Sequence, residues 1–254
     1  MSAPLRTTIV SVWTWFVLGL GIALTFPFVL LWRFVGWPVD RRNYLGGRLL
    51  RLAGAATEWL SPWWRFEVRG TPPANPRTPY VVVANHESFA DILLLCHLPW
   101  EMKWMSKQSI MRIPVLGWSM WAARDIPITR DRATSARDAL AASRDRLDAK
   151  VSVVIFPEGT RSESDEMLPF KDGAFRLAIE AQVPILPLAL HGTRDAIAKH
   201  DWRINPAHAV VEILEPIPTA GLGKTDLRAL KERVRAAIDA KRIALRAELA
   251  QRTA

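Results

Sequence analysis

The chain carries a single cysteine, Cys96, in 254 residues. No disulfide can form within it, and such sparing use fits a reducing compartment. Several reactive signatures are missing as well. His86-Glu87 has no second histidine four positions after His86, so the helical zinc motif is absent, and no G-x-S-x-G elbow occurs. Gly221-Leu-Gly-Lys-Thr225 looks like the end of a nucleotide-binding loop, but Pro218 stands where that loop needs its first glycine. His97, His191, His200 and His208 show no ligand spacing. There is no internal repeat and no low-complexity tract, which sets repeat architectures aside.

Acids are scarce near the amino end. Residues 1–65 hold seven Arg against Asp40 and Glu58, and seven of the 12 Trp, in a chain of formal charge +9. Trp and Arg beside apolar sequence mark a membrane interface, and the overall charge favours an anionic partner. Ile9 to Trp32 contains no charge at all. As a helix those 24 residues would reach about 36 Å, enough for a hydrocarbon core of about 30 Å. No small-residue cleavage site follows, so the segment reads as retained, with a bend at Pro27. Asp40 to Leu60 reads as a second, amphipathic helix lying in the interface, with Leu45, Leu49, Leu52 and Leu60 on one face and Arg48 and Arg51 on another. Two arrangements stand open, one crossing or a helical pair dipping into one leaflet, beside a plain buried core helix. A crossing would put Arg33, Arg41, Arg42, Arg48 and Arg51, and the domain after them, on the cytoplasmic side of the cell inner membrane.

From Phe66 onward short apolar runs alternate with helical patterns. Strands are expected at 66–70, 80–84, 124–130, 151–156, 183–190 and 209–214, and helices at 88–95, 135–150, 172–181 and 225–252. This predicts an α/β fold, a layered sheet, mostly parallel or mixed, flanked by helices, over residues 66–254, behind a two-helix membrane motif in residues 1–65. Trp100 to Trp121, rich in Trp and Met with Lys103, Lys107 and Arg112, reads equally as core or as the membrane-side wall of an acyl site.

Open α/β sheets place ligands at strand carboxyl ends. Asn85 and His86 follow the strand at 80–84, Ser88 is placed to cap the next helix, and Asp91 falls in that helix's first turn. A carboxylate there can fix one imidazole nitrogen and leave the other free to accept a proton, though a lone histidine at a strand end is also common as a structural residue. Pro157-Glu-Gly-Thr-Arg161 follows another strand. Its guanidinium and loop N–H groups suit a phosphate, or Glu158 and Arg161 pair locally. Lys107 and Arg130 are further candidate cations. A base facing an anion pocket points to an alcohol on a phosphorylated substrate.

At this point Asn85-His-Glu-Ser-Phe-Ala-Asp91 resembles the first block of the glycerolipid acyltransferases, particularly those acting on 1-acyl-sn-glycerol-3-phosphate. Ile126-Pro-Ile-Thr-Arg130, Phe156-Pro-Glu-Gly-Thr-Arg-Ser162 and Val183-Pro-Ile-Leu-Pro187 resemble the second, third and fourth, in the family's order across residues 80–190. The last 60 residues match no block. The resemblance implies acyl transfer from acyl-CoA or acyl carrier protein to the sn-2 hydroxyl of lysophosphatidic acid, yielding phosphatidic acid. His86 would be the base and Asp91 its orienter. Arg161 with Glu158, Gly159 and Thr160 would hold the phosphate, with Arg130 assisting and Lys107 at the oxyanion. Membrane lipid and the thioester are the implied partners, with no nucleic acid, no cofactor and no metal. Two other readings remain: an acyltransferase for a different lysolipid, and a metal-dependent phospholipid hydrolase with His86, Asp91 and Glu158 as ligands.

Overall fold

The computed structural model describes residues 3–129 and 133–253. Seven strands form one sheet: β1 (Trp64–Arg69), β2 (Val81–Ala84), β3 (Met102–Lys107), β4 (Ile126–Ile128), β5 (Ser152–Ile155), β6 (Ile185–His191) and β7 (Ala207–Ile213). Their spatial order is β1-β7-β6-β2-β5-β3-β4. All neighbours run parallel except β6 and β7, so the sheet is mixed as expected. β2 lies near the middle between β6 and β5 and is buried along its whole length, which its unbroken β-branched run anticipates.

Alternate side chains of β2 feed two cores. Val81 and Val83 pack with α5 (Ala133–Asp148), α6 (Gly173–Ala181) and α8 (Leu227–Thr253), while Val82 and Ala84 pack on the other face. On that second side lie α3 (Ala90–Leu95), α4 (Leu116–Ala122) and the amino-terminal helices α1 (Ala3–Val35) and α2 (Tyr44–Trp59). Leu230, Val234, Ile238 and Leu245 form the buried stripe of α8, as their spacing foretold.

β3 is the strand that composition hides. Met102-Lys-Trp-Met-Ser-Lys107 lacks β-branched residues and carries two lysines. Lys103 nevertheless points inward and is fully buried. Its Nζ bonds Glu101 Oε1 and the Asn43 carbonyl, both at 2.9 Å. Beside it Arg51 of α2 bonds Asp125 Oδ1 at 2.5 Å and stands 3.7 Å from Glu101. Burial opposes charge on Lys103 and Glu101 alike, and mutual attraction works the other way. The arrangement leaves no charge alone, and it locks α2 onto the sheet.

The amino-terminal expectation needs a correction. Among the described residues only α1, over Pro4–Val35, is long and apolar enough to cross a membrane. It runs as one helix through Pro27. α2 has 16 residues and buries its basic side: Arg51 lies in the charge cluster, and Arg48 donates to the carbonyls of Leu98 and Trp100. Arg33 bonds the carbonyls of Trp121 and Ala122, and Arg42 pairs with Asp145. Four of the five arginines expected to flank the membrane therefore tie the amino-terminal helices to the rest of the fold. The surface left outside is apolar: Leu20, Leu24, Phe28 and Leu31 on α1, and Leu45, Leu52 and Trp59 on α2, are exposed.

Candidate active site

Three loops meet at the carboxyl ends of β6, β2 and β5, adjacent parallel strands. The β2 loop brings His86. Asn85 fixes its start by pairing with the backbone of β6: its amide donates to the Leu190 carbonyl at 2.9 Å and accepts the Leu190 N–H at 2.8 Å. The backbone of His86 is held by the β5 loop. Its N–H donates to Glu158 Oε1 at 2.7 Å, and its carbonyl accepts the Ser162 N–H at 2.9 Å. The imidazole stacks on Phe156, with ring centres 4.1 Å apart. Every degree of freedom of His86 except its free edge is thus taken up.

Asp91 is fully buried behind that ring. Its Oδ2 accepts His86 Nδ1 at 2.7 Å and the backbone N–H groups of Glu87 and Ser88 at 2.8 and 3.0 Å. Its Oδ1 accepts the hydroxyl of Thr193, which starts the short helix α7 (Thr193–Ala196) after β6. A carboxylate facing Nδ1 must be met by an N–H, so in the neutral ring Nδ1 carries the proton and Nε2 has the lone pair. Among the described residues Nε2 has no hydrogen-bond partner, and His86 lines two cavities. The expected cap is present: Ser88 Oγ accepts the Ala90 N–H at 3.2 Å, and Asp91 Oδ2 reaches back to the Ser88 N–H at 3.0 Å. The Ser88 hydroxyl itself donates to the Ile197 carbonyl at 2.7 Å, while Phe89, directly before α3, makes no side-chain bond.

The two cavities, about 290 Å³ and 390 Å³, both include His86 and Lys107 in their walls. The larger continues beneath Leu18 and Ile22 of α1 and Leu50 of α2, and takes in Thr160 and Arg161. The smaller runs along β3, β5, α5 and α6, past Ile128, Leu140 and Gly159. Lys107 and Arg161 make no ion pair or side-chain hydrogen bond among the described residues, so both cations stand free beside the histidine. Cys96 also borders the larger cavity, but burial pushes its thiol up to about 12, which leaves it unreactive as a nucleophile near neutral pH.

The other sequence candidates fall in distinct places. Glu158 is buried, and both oxygens are spent on backbone, Oε1 on His86 N–H and Oε2 on Leu168 N–H at 2.8 Å. Burial raises its carboxyl pKa against the pull of those two bonds. The Gly159 N–H closes a turn onto the Phe156 carbonyl at 3.1 Å. Arg130 lies outside the described residues. Metal ligation by His86, Asp91 and Glu158 conflicts with this bonding, since the carboxylate oxygens already accept N–H and O–H donors. Among the described residues no group of three or more His, Cys, Asp or Glu could hold a metal ion. Sequence reading missed Thr193, although it follows β6 as His86 follows β2. The same strand-end rule, applied to a third strand, points to it.

Comparison with known proteins shows the family. The family model described as Acyltransferase matches residues 65–191. The 1-acyl-sn-glycerol-3-phosphate acyltransferase alpha of Homo sapiens is 39% identical over 199 residues, 78% of this chain and 70% of that protein. The mouse (Mus musculus) protein of the same name is 37% identical over 200 residues, again 78% of this chain and 70% of its own length. In overall fold the chain is similar to the crystal structure of the 1-acyl-sn-glycerophosphate acyltransferase PlsC from Thermotoga maritima. The TM-score is 0.78 at 23% identity, covering 96% of this chain and 98% of that one. With the family model matched over residues 65–191 and relatives aligned over most of their length, the chain belongs to the 1-acyl-sn-glycerol-3-phosphate acyltransferase family.

Proposed function

We propose that this protein moves a fatty acyl chain from acyl-CoA or acyl carrier protein to the sn-2 hydroxyl of lysophosphatidic acid, forming phosphatidic acid for phospholipid synthesis. The observation that carries the reading is the His86 Nδ1 to Asp91 contact at 2.7 Å with Nε2 free at the junction of two cavities. Nε2 takes the hydroxyl proton as the oxygen attacks the thioester carbonyl carbon. A tetrahedral oxyanion forms, for which Lys107 is the available cation. Its collapse breaks the carbon–sulfur bond, and the imidazolium returns its proton to the departing thiolate. A positioned base contributes about 10² to 10⁴ in rate, and an aimed oxyanion donor a similar factor. Attack is direct, without an acyl-enzyme.

Arg161 and Thr160 border the lipid-side cavity and hold the acceptor phosphate in this reading, with Arg130 as an assisting cation. Glu158 serves by bracing the loop that carries His86 rather than by touching substrate. Residues 1–65 act as the membrane anchor and residues 66–254 as the catalytic domain. The anchor dips into one leaflet instead of crossing. Support comes from α1 being tied to the domain along its length: Ile204 N–H to Ser11 Oγ at 2.8 Å, Trp15 Nε1 to the Trp202 carbonyl at 2.7 Å, and Arg33 to the Trp121 carbonyl at 2.9 Å. Those ties span about 33 Å of helix, which a perpendicular crossing would tear open. We place the catalytic domain on the cytoplasmic face of the inner membrane, in keeping with the free thiol of Cys96.

The test is transfer from labelled acyl-CoA to lysophosphatidic acid in vesicles or detergent. His86→Ala is expected to abolish phosphatidic acid formation by about 10³-fold or more while the protein is recovered folded. Undiminished transfer by that variant would end the reading.

A further inference from the structure

Two cavities at one histidine raise the question of what enters each. The larger is walled by α1 and α2, whose outer faces are apolar, so a membrane lipid reaches His86 from that side and meets Arg161. Among the described residues the smaller has no residue of α1 or α2 in its lining, and it runs between the sheet and α5 and α6. Its rim carries a cation that the sequence motifs do not include, Lys171, on the segment leading into α6.

Lys171 is exposed, and its backbone is tied into the site. Its backbone N–H donates to the Pro157 carbonyl at 2.9 Å, which ties it to the loop that braces His86. Three residues earlier, Leu168 N–H is held by Glu158, the same carboxylate that fixes the His86 backbone. The ammonium then folds over Gly159. A Cβ at that position would sit 2.7 Å from Lys171 Nζ, and the backbone there has φ +72°, a conformation that calls for glycine. Among the described residues the Lys171 side chain makes no hydrogen bond and no ion pair. An unpaired ammonium lining an otherwise largely apolar cavity is available to an anion.

We infer that Lys171, lying over Gly159, holds the phosphate of the acyl donor's phosphopantetheine arm, while Arg161 on the opposite side of His86 holds the acceptor's. This rests on the acyl-transfer reading above and adds to it the route of the second substrate. The reaction brings together two phosphorylated molecules, and separate cations keep their like charges apart. Coenzyme A and acyl carrier protein both carry the thioester at the end of the same phosphopantetheine arm, so one subsite for the arm's phosphate serves either carrier.

The test compares Lys171→Gln and Lys171→Arg in the full chain with two donors, acyl-CoA and the same acyl group on pantetheine, which lacks phosphate. Lys171→Gln is expected to raise KM for acyl-CoA about 10-fold, the loss typical of one charge-assisted contact. KM for lysophosphatidic acid should stay within about twofold, and kcat/KM with acyl-pantetheine should not change. Lys171→Arg should recover most of the acyl-CoA affinity. A rise in KM for lysophosphatidic acid instead would assign the lysine to the acceptor phosphate and overturn the inference. Equal losses with both donors would reduce Lys171 to a structural role and overturn it too. Wild-type protein that transfers from neither donor would remove the acyl-transfer reading itself, whereas an active wild type with an unaltered donor KM in Lys171→Gln removes only the subsite.

Discussion

The hydroxyl of Thr193 donates to Oδ1 of Asp91, the oxygen that His86 does not use. The loop after β6 therefore orients the carboxylate that orients the base. Thr193→Val keeps the shape and deletes the donor, leaving a buried carboxylate oxygen unmatched. Hydrogen bonds to charged groups contribute about 1.5–3 kcal/mol. The expected result is a kcat lower by about 10- to 100-fold with substrate KM values little changed, read by steady-state kinetics. A variant with normal kcat would show that Oδ1 needs no partner.

Glu87 gives a pH prediction. It is buried, and desolvation, aided by the neighbouring Asp91 charge, pushes its carboxyl up to about 8. The folded state then keeps a proton that the unfolded chain has released above its ordinary value of 4.5. Stability must fall as pH rises from about 4.5 to about 8 and level off beyond, because the folded state binds the extra proton only in that window. Glu87→Gln should flatten that slope, so melting curves of the two proteins diverge most above pH 7. Parallel curves would mean Glu87 is ionised in the fold.

The cluster joining α2 to the sheet is the best place to unfold the protein by one change. Arg51→Met leaves Asp125 and Glu101 buried with Lys103 as their nearest remaining cation. Breaking a buried pair on one side costs about 3–5 kcal/mol. For a chain of this size that corresponds to a fall of roughly 10 °C in Tm, measurable by circular dichroism in detergent. An unchanged melting temperature would show that solvent reaches the cluster.

The outer face of α2 predicts the reverse behaviour. Leu45 and Leu52 are about half exposed, at 54% and 45%, so Leu45→Glu with Leu52→Glu should leave unfolding unchanged. Each leucine withheld from lipid forgoes about 1.5–3 kcal/mol. Binding to anionic vesicles should therefore weaken about 100-fold or more, seen by sedimentation. Full retention on vesicles would place the membrane contact elsewhere.

Most of this architecture was legible because its signals are local. β2 and β5 announce themselves as apolar β-branched runs, and His86, Asp91, Gly159 and Arg161 follow them at strand ends. What escaped depends on pairing across distance. β3 reads poorly because Lys103 is acceptable inside only with Glu101 and the Asn43 carbonyl beside it. Helical spacing separates the apolar face of α2 from the face of Arg48 and Arg51 but does not say what the basic face meets, and both arginines bind the domain instead of facing water. Thr193 and Lys171 act through partners more than ten residues away, and neither lies in a block that resembles the family.

The ties from Ser11, Trp15 and Arg33 to the domain make anchor and chemistry a single rigid piece. With the anchor lying as proposed, the histidine sits at a fixed depth and samples only the monolayer in which the helices are seated. Every new diacyl lipid would then be deposited in that same half of the bilayer, and supplying the opposite half would fall to whatever machinery flips lipids across.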